Sequence, residues 1–438
     1  MAEKIGVWSA AAVGLGAIIG AGIFVLSGTV IALAGVWSLL AFVIVGVLAL
    51  IIALEIGELG SIMPNTKGAT YSYIYGAFGS EMGFISGILM FVSYSTATAV
   101  ISDGFGAYLS GLLGLGSSSV WVTVFALLLI IALSIVNMFG IRKAVKADAT
   151  LVAIKILVLI ALIGFAAIFA LEARGADLGS LAWAPTGPLG GIIASGMIIF
   201  FAYSGFQSIA SFVSEIRGSG KGAARAIIIS VVASIVLYTL VVFSMMLLAP
   251  PDSYTVTGNP LSYALTYSKA PGWLLVVIDI GALVATASAS LANILRNSRL
   301  AYQISEDGLL PKVFEKYDAK KDVAINGIVL SSAISVVMLF TGNLVTLVSI
   351  SNFGLIFGYL MCSFALIHFR RDRVNGSFRM PYYPYVNIVA IVGLLVFLSS
   401  VGSASLGLGL VLIVLLLATY YLLRETGNKP AVKIRIFK

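Results

Sequence analysis

Two stretches of this chain offer chemistry through the backbone rather than through side chains. Val13 to Val30, VGLGAIIGAGIFVLSGTV, is apolar and uncharged, yet it carries Gly14, Gly16, Gly20, Gly22 and Gly28. Glycine costs about 1 kcal/mol against alanine in a helix interior. At Gly20-Ala21-Gly22 the backbone can leave helical geometry without a side-chain clash. Ile199 to Ser208, IFFAYSGFQS, likewise interrupts an apolar run with small and polar residues. Exposed amides at a break attract an anion such as a carboxylate, and exposed carbonyls attract an ammonium. Together two breaks would hold a zwitterion without any charged side chain, and neither break contains one. The same glycines would also serve close helix packing. The presence of a second interruption favours a binding site.

Lys155, in Ala153-Ile154-Lys155-Ile156-Leu157, is the one basic residue expected inside a span. It lies about 10 Å along a helix from Asp148, so it can snorkel toward the surface. Alternatively it is an ammonium held in the interior, able to take and release a proton or to replace a bound sodium ion. Asp103 and Asp279 are acids within apolar runs, where a carboxylate must be paired or protonated. A dication would need one of them. Tyr94, Ser95, Thr96 and Thr98 line a solute path or bond neighbouring helices. Ala285 to Ser290, with Ser288 and Ser290, either lies near Lys155 or packs closely. Glu55 is expected to face the bundle and pair with a loop arginine or lysine, or else to gate. Glu58 is expected at the interface.

Composition sets the medium in which these groups act. Of 438 residues, 60% are hydrophobic and 10% charged, with a mean hydropathy of +1.09. This excludes a soluble globular domain. Runs of about 20 apolar residues, enough to cross a bilayer, recur at 7–34, 37–60, 82–110, 120–140, 148–171, 190–214, 226–249, 272–295, 324–341, 344–369, 384–402 and 405–423. The start MAEKIGVW leads straight into the first run and is expected to be a retained span. With both ends cytoplasmic, all of the 26 basic residues except Lys155, Arg174 and Lys269 fall on that side. This satisfies the positive-inside rule. The formal charge of +8 therefore points to a membrane surface and lipid headgroups, not to nucleic acid. Trp8, Trp37, Trp121, Trp183 and Trp273 fall near span ends, as interfacial tryptophans do.

Between spans, residues 64–79 are expected to form a re-entry or surface helix held at the bilayer face by Tyr71, Tyr73 and Tyr75. Gly218 to Gly222 lacks the spacing of a phosphate loop and has no strand before it. It is expected to be a cytoplasmic turn whose ion pairs help to close an inner gate. Arg296 and Arg299 are expected to meet acids of neighbouring loops. Spans 11 and 12 are expected to be scaffold or subunit contact, and 424–438 a basic tail at anionic headgroups. One cysteine, Cys362, and one histidine, His368, leave no disulfide framework, no multi-cysteine metal site and no clustered catalytic set.

Four segments resemble the amino acid–polyamine–organocation family of transporters, particularly its cationic-amino-acid-transporter-like and proton-coupled prokaryotic branches. They are Ile19 to Phe24, Phe200 to Gln207, Lys155, and Ser305 to Phe314 (SEDGLLPKVF). The resemblance implies an all-α membrane protein of LeuT type. Residues 1–423 would form one transporter domain of twelve transmembrane helices, with 7–171 and 190–369 as a five-plus-five inverted repeat. Helices 1 and 6 would be discontinuous, with 384–423 as two C-terminal helices. It implies a substrate carboxylate at Gly20, Ala21 and Gly22, and its amino group at carbonyls of Ile18, Ile19, Phe201 and Ser204. Phe201 would be an aromatic lid, with Ala202, Tyr94 and Gln207 nearby. Gln207 departs from the acidic residue common at its position, which leaves more of the coupling to Lys155.

The expected function is sodium-independent, proton-coupled uptake of a neutral, small or aliphatic L-amino acid at the cell membrane by a monomer or homodimer. Neither a metal nor a cofactor is expected. The alternatives are an exchanger, a cationic amino acid or polyamine transporter and, of a different class, a transport-incompetent sensor.

Overall fold

Ala21 to Ala34 forms a helix with no polar face, and every residue from Ala21 to Ile31 is buried. A helix that is apolar all round belongs inside a bundle, and the other helices are arranged about this one. The computed structural model describes residues 4–64, 66, 68–116, 119–140, 144–172, 182–209, 216–318, 321 and 323–425. In chain order the helices are α1 (Val7–Ile18), α2 (Ala21–Ala34), α3 (Trp37–Ile62), α4 (Thr70–Leu112), α5 (Ser119–Met138), α6 (Ala144–Glu172) and α7 (Pro188–Tyr203). There follow α8 (Ser219–Leu248), α9 (Pro260–Tyr267), α10 (Gly272–Glu306), α11 (Ile325–Leu339), α12 (Leu344–Arg371), α13 (Tyr385–Ser399) and α14 (Ser403–Glu425). The basic tail expected over 424–438 lies almost wholly outside the described residues.

This is an all-α, multi-spanning membrane bundle. Among the described residues, nine helices are long and apolar enough to cross a bilayer. The pair α1 and α2, bent by 49°, makes a tenth if it counts as one span, while α11 and α13 are apolar but shorter. The outer helices expose bare aliphatic faces, such as Leu40, Val43, Ile44 and Val47 on α3. These are faces for lipid tails. Among hydrocarbon tails, helices associate through packing rather than through exclusion of water, and small residues set the closest approaches. A Cβ on Gly22 of α2 would stand 2.2 Å from the Ala202 Cα of α7, and one on Gly28 would stand 2.5 Å from Pro260 at the start of α9. The short helix α9 thereby lies against the far half of α2.

Several boundaries and placements depart from the expectations. α4 starts at Thr70 and kinks at Gly79 (φ 80°, ψ −166°), so the first turns after the loop are not a surface helix. Tyr71 and Tyr73 are fully buried. The Tyr71 hydroxyl donates to Asp307 at 2.9 Å, which ties this segment to the end of α10 rather than to the bilayer face. α10 runs on to Glu306 because its polar residues after 295 point into the bundle. Glu58, near the end of α3, is buried. Arg370 donates to it through Nε at 2.8 Å and Nη2 at 2.6 Å, and the Met380 amide adds a third bond at 2.7 Å. Residues 219–222, expected as a turn, begin α8. Beside them the Arg217 amide donates to the Ile5 carbonyl at 2.9 Å and its Nε to the Lys4 carbonyl at 3.1 Å. Glu215, the acid just before this segment, lies outside the described residues.

The Gly22–Ala202 contact leaves no room for a side chain. Gly22→Val should lower stability by about 2 kcal/mol or more, at the upper end of overpacking costs. Thermal unfolding of the purified protein in detergent would show a depressed Tm, or loss of the monodisperse species altogether.

Candidate functional site

The first break is tight. α1 ends at Ile18, Ile19 leaves helical geometry (φ −70°, ψ 72°), and Gly20 is extended (φ −103°, ψ −151°). The Gly20 amide folds back to donate to the Ile18 carbonyl at 2.6 Å. Ala21 and Gly22 are already helical, so the interruption is narrower than their composition implies. The second break follows Tyr203. Ser204 is non-helical, and Gly205 has φ +132°, a region that side chains rarely adopt. A Cβ on Gly205 would also stand 2.3 Å from the Ala17 carbonyl oxygen. The breaks, far apart in sequence, are therefore in backbone contact on both sides: Gly22 with Ala202, and Gly205 with Ala17.

Between them lies a cavity of about 200 Å³. Ile18, Gly20, Ala21, Gly22, Phe201, Ala202 and Ser204 line it, joined by Lys155 and Ser288. From the breaks the lining continues past Gly205 to Ser208, Asn293 and Arg296. The first amides of α2 have no intrahelical acceptor, and Gly20 has no side chain to cap them, so they give the cavity a positive end. Lys155 is buried and donates to the Gly16 carbonyl at 3.3 Å, which decides between snorkelling and burial. Its helix comes this close because Gly16 has no side chain: a Cβ there would meet Val152 at 2.0 Å. Two cationic side chains and no carboxylate line the cavity among the described residues.

The model of the family described as amino acid permease matches residues 5–428. The chain belongs to this family. The permease is 26% identical to a branched-chain amino acid permease of Bacillus subtilis, over 98% of this chain and 94% of that protein. It is 27% identical to a methylthioribose transporter of the same organism, over 89% and 86%. It is also 27% identical to the chloroplastic cationic amino acid transporter 9 of Arabidopsis thaliana, over 72% and 57%. The permease is thus a multi-pass membrane permease for amino acids or related solutes in the amino acid–polyamine–organocation superfamily, and not an enzyme.

Other expected site residues of the permease lie outside the cavity lining. Ile19 is buried behind the break. Gln207 turns back, its Oε1 accepting from the Gly205 amide at 2.9 Å. Tyr94 sits under the Arg296 guanidinium, 5.3 Å from ring centroid to Cζ. Ser290 faces Ser102 of α4 at 3.3 Å. Asp279 accepts from Ser262, and Asp103 lies beside the Gly258 turn. Among the described residues, Glu55 meets no loop cation. Asn387 donates to it at 2.6 Å and the Ser363 hydroxyl lies 2.6 Å away, while Arg370 is held by Glu58. The hydroxyls of α4 do not line a path either. Thr96 and Thr98 bond back to Val92 and Tyr94, and Ser95 accepts from Asn297 at 2.8 Å.

Two residues of the permease's site were missed. Arg296, expected to meet loop acids, instead donates to Ser208 at 3.0 Å and Asn293 at 3.2 Å at the cavity edge. Among the described residues no loop acid reaches it, because α10 stays helical there. Tyr238 of α8 joins the two breaks. Its hydroxyl lies 2.7 Å from the Ile18 carbonyl and 3.3 Å from that of Ala202. One proton serves chiefly the shorter bond. The Ile18 carbonyl thus has two donors already. So does that of Phe201, from the Ser204 amide at 3.1 Å and its hydroxyl at 2.6 Å. No sequence signal singled out Tyr238, since a tyrosine in an apolar span is ordinary. Tyr238→Phe removes one of the two donors to the Ile18 carbonyl and should cost about 0.5–1.5 kcal/mol. Its Tm should fall while a single monodisperse peak on gel filtration is retained.

Proposed function

We propose that this permease is a secondary active transporter that takes up a neutral, small or aliphatic L-amino acid, sodium-independently and coupled to protons. The observation that carries this reading is the meeting of two helix breaks at one acid-free cavity. The α2 amides suit a carboxylate, and backbone carbonyls beside them suit an ammonium. The remaining lining at the breaks is aliphatic, small or aromatic. Lys155 and Arg296 together disfavour a cationic amino acid or polyamine. The name of one relative, a branched-chain amino acid permease, agrees with an aliphatic side chain.

The reading extends to architecture. The nine helices, the bent pair and the two shorter apolar helices would make the twelve spans. Residues 7–171 and 190–369 would be inverted repeats, each opening with its broken helix, and the basic loops would place both termini in the cytoplasm. The cavity, lined toward Ser208 and Arg296, would then face the cytoplasm, while α9 closes the outer side over α2. Substrate binding would let α1, α2, α3, α7 and α8 rock against α4, α5, α10 and α11. Lys155, on α6, would hold α1 through the Gly16 carbonyl. A charged ammonium binds a carbonyl more strongly than a neutral amine does, so loss of its proton would loosen α1.

Radiolabelled alanine, leucine, arginine and glutamate should be offered to proteoliposomes without sodium, varying internal amino acid and proton gradient separately. Concentrative uptake of leucine or alanine into empty vesicles under an inward proton gradient is expected. Uptake only into preloaded vesicles, indifferent to the gradient, would identify an exchanger and end the proton account. Lys155→Ala should slow uptake about tenfold or more, which corresponds to about 1.4 kcal/mol on the limiting step, with a smaller effect on Tm. Equal losses in uptake and folding would give Lys155 a structural role instead.

A further inference from the structure

We propose that Glu55, Ser363 and Asn387 form a proton-binding site outside the cavity, filled while α3 packs on α12 and α13 as it does here and emptied when they part. The second half of this rests on the transport reading above; the first does not.

Glu55 is 0% exposed, in a helix that crosses the bilayer. An ionised carboxylate there requires a cation or an abundance of donors. Glu55 has two neutral donors and makes no ion pair among the described residues. Asn387 Nδ2 lies 2.6 Å from Oε1 and Ser363 Oγ lies 2.6 Å from Oε2.

The position of Ser363 points to the protonated acid. Its Oγ is also 3.2 Å from the Tyr359 carbonyl, and its one proton can serve only one of these acceptors. If Glu55 is ionised, the hydroxyl must turn toward it and abandon Tyr359. If Glu55 carries a proton, it donates to Ser363, Ser363 donates to Tyr359, and Asn387 donates to the remaining carboxyl oxygen. The neutral acid uses every contact in the cluster, and nothing is left charged.

Among the described residues, the surrounding groups do not supply the missing cation. On α3 itself the neighbour is Glu58, an acid held by Arg370. On α12 it is Cys362, whose Sγ lies 3.8 Å from the Thr70 carbonyl, and Arg370 is committed to Glu58. From α4 comes Tyr73, near Cys362. From α8, whose Ile227 packs at Gly57, the titratable groups nearest along the helix are Lys221 and Arg225, both exposed.

The three members of the cluster stand on three helices. Separation of α3 from α12 and α13 would remove both donors and admit water from the Arg370 end, one turn away at Glu58. Glu55 then gives its proton to water: the carboxyl O–H bond breaks, leaving a carboxylate and a hydronium ion. Repacking reverses the step.

Infrared spectra of the full-length protein in lipid at neutral pH test the site without transport. Wild type minus Glu55→Gln should show a carboxylic acid C=O band. Ser363→Ala, which takes away the acceptor of the acid proton, should shift that band to higher frequency. It keeps the test decisive if Glu55→Gln does not fold. No band in the difference spectrum, or a spectrum unmoved by Ser363→Ala, would overturn the proposal. Alanine, leucine, arginine and glutamate are then added in turn to the same proteoliposomes used for uptake. Each one that is taken up should change the intensity of the Glu55 band. A transported amino acid that leaves the band unchanged would refute the link to the cycle. If none of the four is taken up, the transport reading fails, while the band still decides whether Glu55 holds a proton.

Discussion

Backbone-to-backbone contact between the two broken helices is the constraint on which the rest of this structure depends. Gly22 against Ala202 and Gly205 against Ala17 bring α1 and α2 closer to α7 than any pair of side chains would permit. That approach places two sets of interrupted backbone groups in one space. Within a bilayer such groups must find partners inside the protein. Tyr238 and Ser204 supply part of what is missing at Ile18 and Phe201. The site is therefore partly self-satisfied when nothing is bound. A zwitterion would exchange these internal bonds for its own, and the change in bonding at the breaks is what would alter the packing of α1 and α7.

The charged side chains follow a complementary rule. Each acid with an identified partner within the spans is answered away from the cavity: Glu58 by Arg370 and the Met380 amide, Asp279 by Ser262, Glu55 by Ser363 and Asn387. The two cations at the cavity, Lys155 and Arg296, face backbone carbonyl, hydroxyl and amide oxygens instead. Were an acid to pair with either one, the positive end made by the α2 amides would be offset, and a carboxylate would lose its advantage there. The separation of acids from the cavity is thus as much a part of its electrostatics as the cations within it.

What the sequence discloses and what it hides follow from how local each signal is. Glycines crowded in an apolar run, a serine-glycine pair in another and a lysine amid isoleucines are visible without knowing any partner, and the structure brings those three segments to one cavity. Tyr238, Arg296 and Asn387 are defined by groups far away in the chain. Locally they look like a span tyrosine, a loop arginine and a polar residue near a helix end. The expected end of the eighth span at 295 fails for the same reason. Arg296, Asn297 and Arg299 resemble the start of a polar loop, but Arg296 turns toward the cavity and Asn297 is buried against α4 and α11. Nor does Glu58 disclose its partner locally, since Arg370 follows more than three hundred residues later.

The polar contacts between helices also bear on which parts could move together. Asn297 of α10 stands within bonding distance of the Phe91 carbonyl (3.0 Å), Ser95 (2.8 Å) and Ser331 (2.8 Å), joining α10 to α4 and α11. Ser335 Oγ lies 2.9 Å from the Ser95 carbonyl, and Ser134 of α5 meets Ser332 of α11 at 2.6 Å. Such bonds are worth about 0.6 to 2 kcal/mol each, so α4, α5, α10 and α11 form a unit held by several of them. α1, α2, α7 and α8 are joined by glycine contacts and by Tyr238. Across the divide between these groups run the Tyr108 hydroxyl to the Phe24 carbonyl at 2.5 Å and Arg296 to Ser208 at 3.0 Å, on opposite sides of the breaks. Both crossings are made here, so a rocking motion that preserved the bonds within each group would open one of them while the other held.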